Sequence, residues 1–395
     1  MRNPFICVAG KNNIAVDVLT YIIKHYGKDQ VGIICNKTET GENTFQRSLR
    51  RYAQTQGIKE YQLPEIYEIE NLVFLSLEFD QIVKPERFSD ARLYNLHFSL
   101  LPKYKGMYTA AHCILQGEIF SGVTLHFIDS GIDTGDIIDQ EKFEVGDSDC
   151  KGLYLKYIEH GTRIVLRHLD KIINDTVTAI PQSASGSTYF SKKSIDYQNI
   201  VIDLNQTAED ISRQIRGFSF RDYQLPELFG EKIIDCRILK SRSGAKPGMI
   251  LFENEASKVI STVDYDTVIY IDRFDELMHA CTRGDVNEVI QICAVSKHIN
   301  EQDKNGWSPL IKATYNNHVA IANYLIAAGA DVNMKNRNGT NLLMYAKEAY
   351  RHYGDNTLFK IYKQLGLSEK SKDYKGHDLI YYLRNDGIAL EELIR

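Results

Sequence analysis

The sequence predicts an α/β fold with a mostly parallel sheet, then a small β-rich region, then a region of helical repeats. Strand-like and helix-like segments alternate over residues 1–185, and short strand-like runs follow over residues 186–272. A glycine-containing motif then recurs at a spacing of 33 residues within residues 273–395. Alternating strands and helices favour a parallel sheet covered by helices on both faces. We therefore expect three domains with these boundaries.

The elements of the first region follow from hydrophobic spacing. Short apolar runs bounded by glycine or polar residues predict strands, and apolar residues three and four positions apart predict helices. The expected strands are residues 5–9, 31–35, 72–75, 93–97, 123–128 and 137–145, and the expected helices are residues 13–26, 44–56 and 152–173. Ligands of such sheets bind beyond the carboxyl ends of the strands, which draws attention to the end of the strand at 93–97.

The middle region begins after a run of small and polar residues at 182–187, which predicts a domain boundary. Thr207 and Asp210 form a capping-box-like pair that predicts the start of a helix. The expected elements are strands at 188–190, 200–202, 232–240, 248–252, 258–262 and 267–271 and a helix at 208–216.

The last region carries a repeat. Residues 305–313 are echoed by residues 338–346, and Gly306 and Gly339 are 33 residues apart, which is the ankyrin period. Related units near 275 and 375 predict three to four repeats. Repeat stacks serve as binding surfaces, so we expect this one to bind a protein or a second small ligand, or to support a dimer. Trp307, the only tryptophan, is the best exposed candidate, whereas most of the tyrosines are expected in the core.

Composition limits the class of protein. The formal net charge of −5 gives no general attraction to nucleic acid. Seven cysteines, none in C-x-x-C spacing, favour reduced thiols over disulfides or a zinc site. The start of the chain lacks the apolar core of a signal peptide, and no stretch approaches the length of a membrane span. We expect a soluble, cytoplasmic protein with no metal and with neither nucleic acid nor membrane as a partner.

Two segments carry residues suited to transfer of a carbonyl group to an amine. Asn95 and His97 are two apart in an expected strand and so point to the same side. An Asn amide can donate to an oxyanion and a neutral His can accept a proton. Asp133 lies on a turn between Gly131 and Gly135, where a carboxylate could orient the His or relay a proton. Each residue alone is more often structural, but the combination of N-x-H-x-S-L-L-P with D-x-G-x-D-T-G-D predicts a catalytic site.

Two further segments remain ambiguous. Only one glycine precedes Lys11 after the first strand, which argues against a nicotinamide or flavin site. Lys11 could contact a phosphate, or the turn could be structural. The segment 216–226 combines rings that can stack on a nucleobase with guanidinium groups that can hold a diphosphate, and it could equally pack into its own domain. Its candidate residues are Arg216, Phe218, Phe220, Arg221 and Tyr223.

Residues 1–185 resemble the catalytic domain of the folate-dependent formyltransferases, on the motifs at 95–106 and 122–136. The resemblance implies a Rossmann-like fold, a catalytic triad of Asn95, His97 and Asp133, and N10-formyltetrahydrofolate as formyl donor. The positions matching the pterin pocket of that family are Leu75, Ser76, Leu77, Phe79, Gly131, Ile132 and Asp136.

The whole arrangement most resembles the bacterial nucleotide-sugar N-formyltransferases, in particular the dTDP-3-amino-3,6-dideoxyglucose type that carries ankyrin repeats. This implies a nucleotide-linked amino sugar as acceptor, a homodimer, and a role in O-antigen or lipopolysaccharide synthesis. Alternatives are a dTDP- or UDP-4-amino sugar as acceptor, or a non-catalytic ankyrin scaffold with a relic catalytic domain. The implied acceptor residues are Lys11, Ser99, Tyr104, Gly106, Met107, Tyr108, Arg216, Phe218, Phe220, Arg221 and Tyr223.

Overall fold

The computed structural model describes residues 4–295 and 298–394. The chain divides into two compact units, one of Met1–Asp203 with Glu209–Pro226 and one of Leu204–Ala208 with Glu227–Arg395. The expected boundary at residue 185 therefore does not separate the units, because residues 186–203 belong to the first one. Whether the β-rich region and the repeats are separate domains stays a prediction.

The first unit is built on a seven-stranded sheet with the strand order β3-β2-β1-β4-β5-β7-β8. The first five of these strands are parallel, and β7 runs antiparallel to both β5 and β8, which confirms the expected mostly parallel sheet. Strands β6 and β9 form a separate parallel pair. The strands are β1 Phe5–Gly10, β2 Val31–Cys35, β3 Lys59–Glu60, β4 Leu72–Leu77, β5 Ala91–His97, β6 Lys105–Gly106, β7 Phe120–Phe127, β8 Ile137–Glu144 and β9 Tyr189–Phe190.

Apolar side chains cover both faces of this sheet. Along β1, Ile6 and Val8 belong to one core cluster and Cys7 and Ala9 to another, as the two-residue period of a strand requires. Helices α1 and α4 pack against each other over the first of these clusters. The helices of this part of the chain are α1 Asn12–Tyr26, α2 Leu49–Gln56, α3 Thr109–Leu115, α4 Cys150–Ile173 and α5 Ala208–Phe218.

Two expected elements differ from the structure. Helix α2 begins at Leu49 rather than at 44, because the Ser48 side chain accepts a hydrogen bond from the Arg51 N–H and caps the helix there. Residues 200–202, expected as a strand, have no regular structure. Val201 is 77% exposed and Ile202 is buried, but no strand in the described part of the chain pairs with this short apolar run.

The second unit contains an antiparallel sheet with the strand order β10-β11-β14-β13-β12. The strands are β10 Glu227–Leu228, β11 Glu231–Ile238, β12 Ile250–Glu253, β13 Ser257–Ile260 and β14 Thr267–Ile271. Helical pairs follow, and each helix contacts the equivalent helix of the next pair. The helices are α6 Phe274–Arg283, α7 Val286–Cys293, α8 Pro309–Tyr315, α9 Val319–Ala327, α10 Leu342–Tyr353, α11 Thr357–Gln364, α12 Leu379–Asp386 and α13 Leu390–Ile394.

The recurring glycines lie where one repeat meets the next. A Cβ atom on Gly306 would lie 2.6 Å from the backbone nitrogen of Arg337, and one on Gly339 would lie 2.7 Å from that of Tyr374. Both glycines also have positive φ angles of 77° and 80°. The 33-residue spacing read from the sequence is therefore the spacing of successive inter-repeat turns.

Trp307 is only half-exposed. Its ring centroid lies 5.1 Å from that of Tyr315 and 5.0 Å from that of Tyr345, and the Lys312 ammonium lies 4.6 Å above the ring. Trp307 is thus part of an aromatic cluster and is partly buried, rather than fully exposed on a hairpin.

Two findings bear on the class of protein. None of the seven cysteines, all of which lie in the described residues, forms a disulfide. Within residues 4–295 and 298–394, no helix combines the length and the apolar character that crossing a bilayer requires.

Candidate active site

Three polar side chains form a row across the strands β4, β5 and β7. Ser76 pairs with Asn95, and Asn95 pairs with His126, in the register of these strands. The Ser76 hydroxyl donates to Asn95 Oδ1 at 2.7 Å. Asn95 Nδ2 lies 3.1 Å from His126 Nε2 and donates to Asp133 Oδ1 at 3.2 Å. The amide of Asn95 is therefore held at both ends, with its donor side toward the carboxylate.

His126 is the member of this row to which the sequence assigned no role. Its Nδ1–H donates to the carbonyl of Phe127 at 2.7 Å, so Nε2 is left as the acceptor for Asn95. Only 2% of the His126 side chain is exposed. Val123, Leu125 and Phe127 alternate with Thr124 and His126, and this pattern could have placed His126 on the face of Asn95, since cross-strand neighbours share a face.

The loop that carries Asp133 is constrained by its glycines. Asp133 has a φ of 54°, in the left-handed region that non-glycine residues seldom adopt. A Cβ atom on Gly135 would lie 1.9 Å from the carbonyl oxygen of Phe127. The second carboxylate oxygen of Asp133 accepts from the Gly106 N–H at 2.9 Å. The loop thus places the Asp133 carboxylate between the Asn95 amide on one side and the backbone of β6 on the other.

His97 lies between a carbonyl and this carboxylate. Its Nε2 lies 2.8 Å from the oxygen of Tyr104, and its Nδ1 lies 3.4 Å from Asp133 Oδ2. The shorter distance is that of a hydrogen bond and the longer one is not, so the proton of a neutral ring resides on Nε2. Nδ1 then offers a lone pair next to Asp133. The three predicted catalytic residues therefore converge, as expected from the sequence.

The pKa values favour an ionised Asp133 and a neutral His97. Burial opposes the charge of Asp133, but the neighbouring His97, His126 and the Gly106 N–H outweigh it and lower the pKa to about 2. Burial lowers the pKa of His97 against the opposing effects of Asp133 and the Tyr104 carbonyl. Only 12% of the Asp133 side chain and 9% of that of His97 are exposed. At neutral pH the site pairs a carboxylate with an imidazole able to accept a proton.

A second polar cluster lies at the ends of β1 and β4. Glu78 accepts hydrogen bonds from Asn12 Nδ2 at 3.0 Å and from the Tyr154 hydroxyl at 2.7 Å, and burial raises the pKa of its carboxyl group. Lys11 follows Gly10 at this edge, and a Cβ atom on Gly10 would lie 1.8 Å from the oxygen of Leu77. Since strand order reverses between β1 and β4, this is where α/β sheets bind ligands.

Aromatic rings surround Tyr154. The Phe220 ring lies 5.5 Å from those of Phe45 and Tyr154, and the Tyr223 ring lies 4.7 Å from that of Phe220. Phe220 is buried, whereas Tyr223 is 64% exposed. The segment 216–226 therefore packs Phe220 into its own unit and exposes the ring of Tyr223, and stacking of this ring on a nucleobase stays a prediction.

Three other side chains that were predicted to bind the acceptor substrate form hydrogen bonds within the protein instead. Ser99 is fully buried and its hydroxyl donates to Lys103 O, which leaves it no open face for a ligand. The Tyr104 hydroxyl donates to Glu118, so only its carbonyl reaches the site. Arg216 donates to the carbonyls of Gly146 and Ser148. These three contacts correct the side-chain roles expected from the sequence, because loop conformation decides where such side chains point.

Phe218 lines a cavity of about 490 Å³ together with His112, Phe190 and Ser194. His112 is stacked on Phe190 and hydrogen-bonded to Ser194 there. Phe218 thus faces this cavity, whereas its neighbour Phe220 belongs to the aromatic cluster around Tyr154.

Most of the remaining residues predicted to bind the folate or the acceptor lie either in a buried strand or in an exposed loop. Leu75 and Leu77 are buried in β4, and Phe79 packs on Phe74. Gly131, Ile132 and Asp136 are exposed on the Asp133 loop. Met107 is exposed just beyond β6, Tyr108 contacts Tyr197 at the start of α3, and Arg221 is half-buried.

Comparison with known proteins places this geometry in a family. Residues 69–167, which contain Asn95, His97 and Asp133, match the formyl transferase family model. The chain is 31% identical to the methionyl-tRNA formyltransferase of Macrococcus caseolyticus over 54% of this chain and 72% of that protein. It is 28% identical to the corresponding protein of Clostridium tetani over 66% of this chain and 88% of that one. The chain belongs to the formyltransferase family.

Two solved structures resemble this formyltransferase more closely in sequence. WlaRD, a sugar 3N-formyl transferase determined in the presence of dTDP and 5-N-formyl-THF, is 41% identical, with a TM-score of 0.65 over 69% of this chain and 99% of that one. An N-formyltransferase from Helicobacter canadensis, in complex with folinic acid and dTDP-3-aminofucose, is 42% identical, with a TM-score of 0.64 over 68% and 100%. Residues 277–357 match the ankyrin repeat model, which confirms the repeats read from the sequence.

Proposed function

We propose that this formyltransferase transfers a formyl group from N10-formyltetrahydrofolate to the amine of a dTDP-linked amino sugar, dTDP-3-amino-3,6-dideoxy-D-glucose. The observation that carries the proposal is the convergence of Asn95, His97 and Asp133 in a chain more than 40% identical to two sugar N-formyltransferases studied with dTDP ligands and formylated folates. The methionyl-tRNA formyltransferases are less similar, and the net charge of −5 does not favour tRNA.

In the proposed reaction, the unprotonated sugar amine attacks the formyl carbon, and an oxyanion and a positive charge on nitrogen develop together. Asn95 Nδ2 turns one of its two N–H groups, which otherwise bond to His126 and Asp133, to the oxyanion, while Ser76 holds the other end of the amide. The ionised Asp133 stabilises the positive charge on the attacking nitrogen. His97 accepts the amine proton at Nδ1, directly or through one water, where Asp133 stabilises the resulting imidazolium. The bond from carbon to N10 then breaks, and this proton passes to N10.

The surroundings of the triad support a folate donor and a nucleotide acceptor. The exposed Gly131 and Ile132 lie on the Asp133 loop, at the edge of the sheet where the resemblance places the pterin. The open ring of Tyr223, backed by Phe45 and Phe220, suits stacking on a thymine base. Lys11, at the end of β1, suits the diphosphate.

The biological setting is part of the same proposal. A dTDP-linked sugar and a reduced folate would be cytoplasmic substrates, which agrees with seven free thiols. We assign the product to O-antigen or lipopolysaccharide synthesis and the protein to a homodimer, on the resemblance to sugar N-formyltransferases. The ankyrin repeats would serve as a surface for a protein partner or a second small ligand.

A panel assay tests the substrate. Purified protein with N10-formyltetrahydrofolate is offered dTDP-3-amino-3,6-dideoxyglucose, dTDP-3-aminofucose, a dTDP-4-amino sugar, a UDP-4-amino sugar and methionyl-tRNA, and formylated product is measured by mass spectrometry. We expect the largest kcat/KM with the first of these acceptors. A preference for a 4-amino sugar would show that such a sugar is the acceptor, and a preference for methionyl-tRNA would overturn the assignment of a sugar acceptor. No turnover together with no folate binding would favour the non-catalytic scaffold.

Substitution of the imidazole tests the mechanism. His97→Ala should lower kcat by about 10²–10⁴-fold with the fold intact, because the proton acceptor is lost. His25→Ala, an exposed histidine on α1, is the matched control and should leave the rate unchanged. A wild-type rate in His97→Ala would remove the residue from the mechanism.

A further inference from the structure

The segment around residues 182–187, where the sequence predicted a domain boundary, contacts the loop that carries Asp133 and the loop that carries Tyr104. Ile180 pairs with Ile137 through two backbone hydrogen bonds of 2.8 Å, at the end of the loop that carries Asp133. Farther on, Tyr189 and Phe190 form β9 and pair with β6. We call residues 180–190 the brace segment, because its two ends are anchored on two different loops of the site.

Gln182 is the residue of the brace segment that reaches the Asp133 loop. Its side-chain nitrogen donates to the carbonyl of Asp133 at 2.9 Å and to that of Gly135 at 2.7 Å. Only the NH₂ end of a glutamine can donate to two carbonyls, so the amide orientation is fixed. Its Oε1 is buried without a hydrogen-bond partner in the described part of the chain, so the amide is held from the donor end alone.

The other end of the brace segment holds the opposite loop. Thr188 accepts at its hydroxyl from the Tyr104 N–H at 2.7 Å and at its carbonyl from the Lys105 N–H at 2.9 Å. Tyr104 supplies the carbonyl that receives His97, and Gly106 supplies the N–H that binds Asp133. One short stretch of chain therefore fixes the backbone partners of both His97 and Asp133.

Asp133 needs such support because its backbone lies in the left-handed region, which is unfavourable for a non-glycine residue. We infer that Gln182 is a positioning residue for formyl transfer, which holds the carbonyls of Asp133 and Gly135 so that the carboxylate stays directed at Asn95 and His97. This inference rests on the proposed catalytic role of Asp133.

The first test replaces the amide with an apolar side chain of similar length. Gln182→Met removes both hydrogen bonds and should lower kcat by about 10–100-fold, as expected for a displaced catalytic group, while KM for donor and acceptor changes by less than about threefold. Gln54→Met, at an exposed position of α2, is the control and should match wild type. A Gln182→Met enzyme with wild-type kcat would overturn the inference.

A second variant separates positioning from a general loss of structure. In Gln182→Glu, a protonated carboxyl can donate to one of the two carbonyls, whereas a carboxylate repels both. The ratio of its kcat to that of Gln182→Met should therefore rise as the pH falls from about 8 to about 5.5, since burial raises the pKa of a carboxyl group. The other titratable groups nearby, Asp129, Asp133 and Asp136 on the loop and His97 and His126 on the sheet, are shared by both variants and cancel in the ratio. A flat ratio contradicts positioning.

Hydrogen exchange tests the inference without any acceptor. If wild-type protein formylates none of the panel, the proposed function fails, but the amides of residues 128–137 should still exchange faster in Gln182→Met than in wild type. Unchanged exchange there would overturn the positioning role independently of the substrate. If Gln182→Met does not fold, as judged by circular dichroism, the same exchange comparison is made with Gln182→Glu.

Discussion

At the scale of single residues, the convergence of Asn95, His97 and Asp133 could be predicted, but most of their contacts could not. Asn95 and His97 share a face because they are two apart in a strand, and glycines around Asp133 signal a tight loop. Ser76 and His126 become neighbours of Asn95 only through the register of three strands. Ser99 and Tyr104 lie in a loop that is hydrogen-bonded to Thr188, a residue distant in sequence, so the sequence could not show where their side chains point.

The hydroxyl of Ser76 should matter for the rate. Ser76→Ala removes the donor to Asn95 Oδ1 and lets the amide rotate, and we expect kcat to fall by about 3–10-fold, the equivalent of one hydrogen bond. Ser89→Ala removes an exposed hydroxyl that donates to Tyr67 O and serves as the control. Equal rates in the two variants would show that Asn95 needs no support from β4. The measurement is steady-state formylation with saturating substrates.

At the scale of elements, periodicity located the strands and helices well because their apolar faces are buried. Residues 200–202 were wrongly expected as a strand, since an apolar run alone does not provide a partner strand. Residues 182–187 of the brace segment were expected to mark a domain boundary, because small polar residues are typical of exposed loops. The contacts of the segment include those of Gln182 and Thr188, near its two ends, and no local pattern reveals which backbone groups these side chains bind.

The Asp133 loop should not tolerate a side chain at Gly135. In Gly135→Ala, the new Cβ would meet the Phe127 carbonyl oxygen at 1.9 Å, so the loop must move and carry the carboxylate with it. We expect kcat to fall by about 10–100-fold. Gly27→Ala, after α1, meets open space and is strained only by its φ of 84°, so it should lose about 1 kcal/mol of stability with an unchanged kcat. A fully active Gly135→Ala enzyme would contradict a rigid loop.

At the scale of the whole molecule, the sequence revealed the repeats because each inter-repeat turn needs a glycine, as Gly306 and Gly339 show. It did not reveal the division of the chain, because residues 186–203 return to the first unit instead of starting a new one. The two units have separate cores, since the clusters around the parallel sheet share no residue with the cluster of the repeats. Each unit can therefore respond to a different perturbation.

Substitution of Lys347 should destabilise the second unit, and binding of a folate ligand should stabilise the first. Lys347 is fully buried in the repeats and pairs with Glu348 and Asp386. Lys347→Ala removes the buried side chain and its two ion pairs but leaves Arg351 paired with both carboxylates, so it should cost about 2 kcal/mol and lower one thermal transition by roughly 4–8 °C. Lys304→Ala, at an exposed position, is the control and should leave the temperature of this transition unchanged.

Folinic acid should act on the other transition. At about 100 times its Kd, a ligand that binds only the folded first unit adds about 2.7 kcal/mol to the stability of that unit. Calorimetry of wild type, Lys347→Ala and Lys304→Ala, each with and without folinic acid, should give the same ligand-induced rise in all three proteins. Because the cores are separate, the substitution and the ligand should move different transitions. If both moved one and the same transition, the two units would unfold as a single cooperative structure, and the division of the chain would have no thermodynamic counterpart.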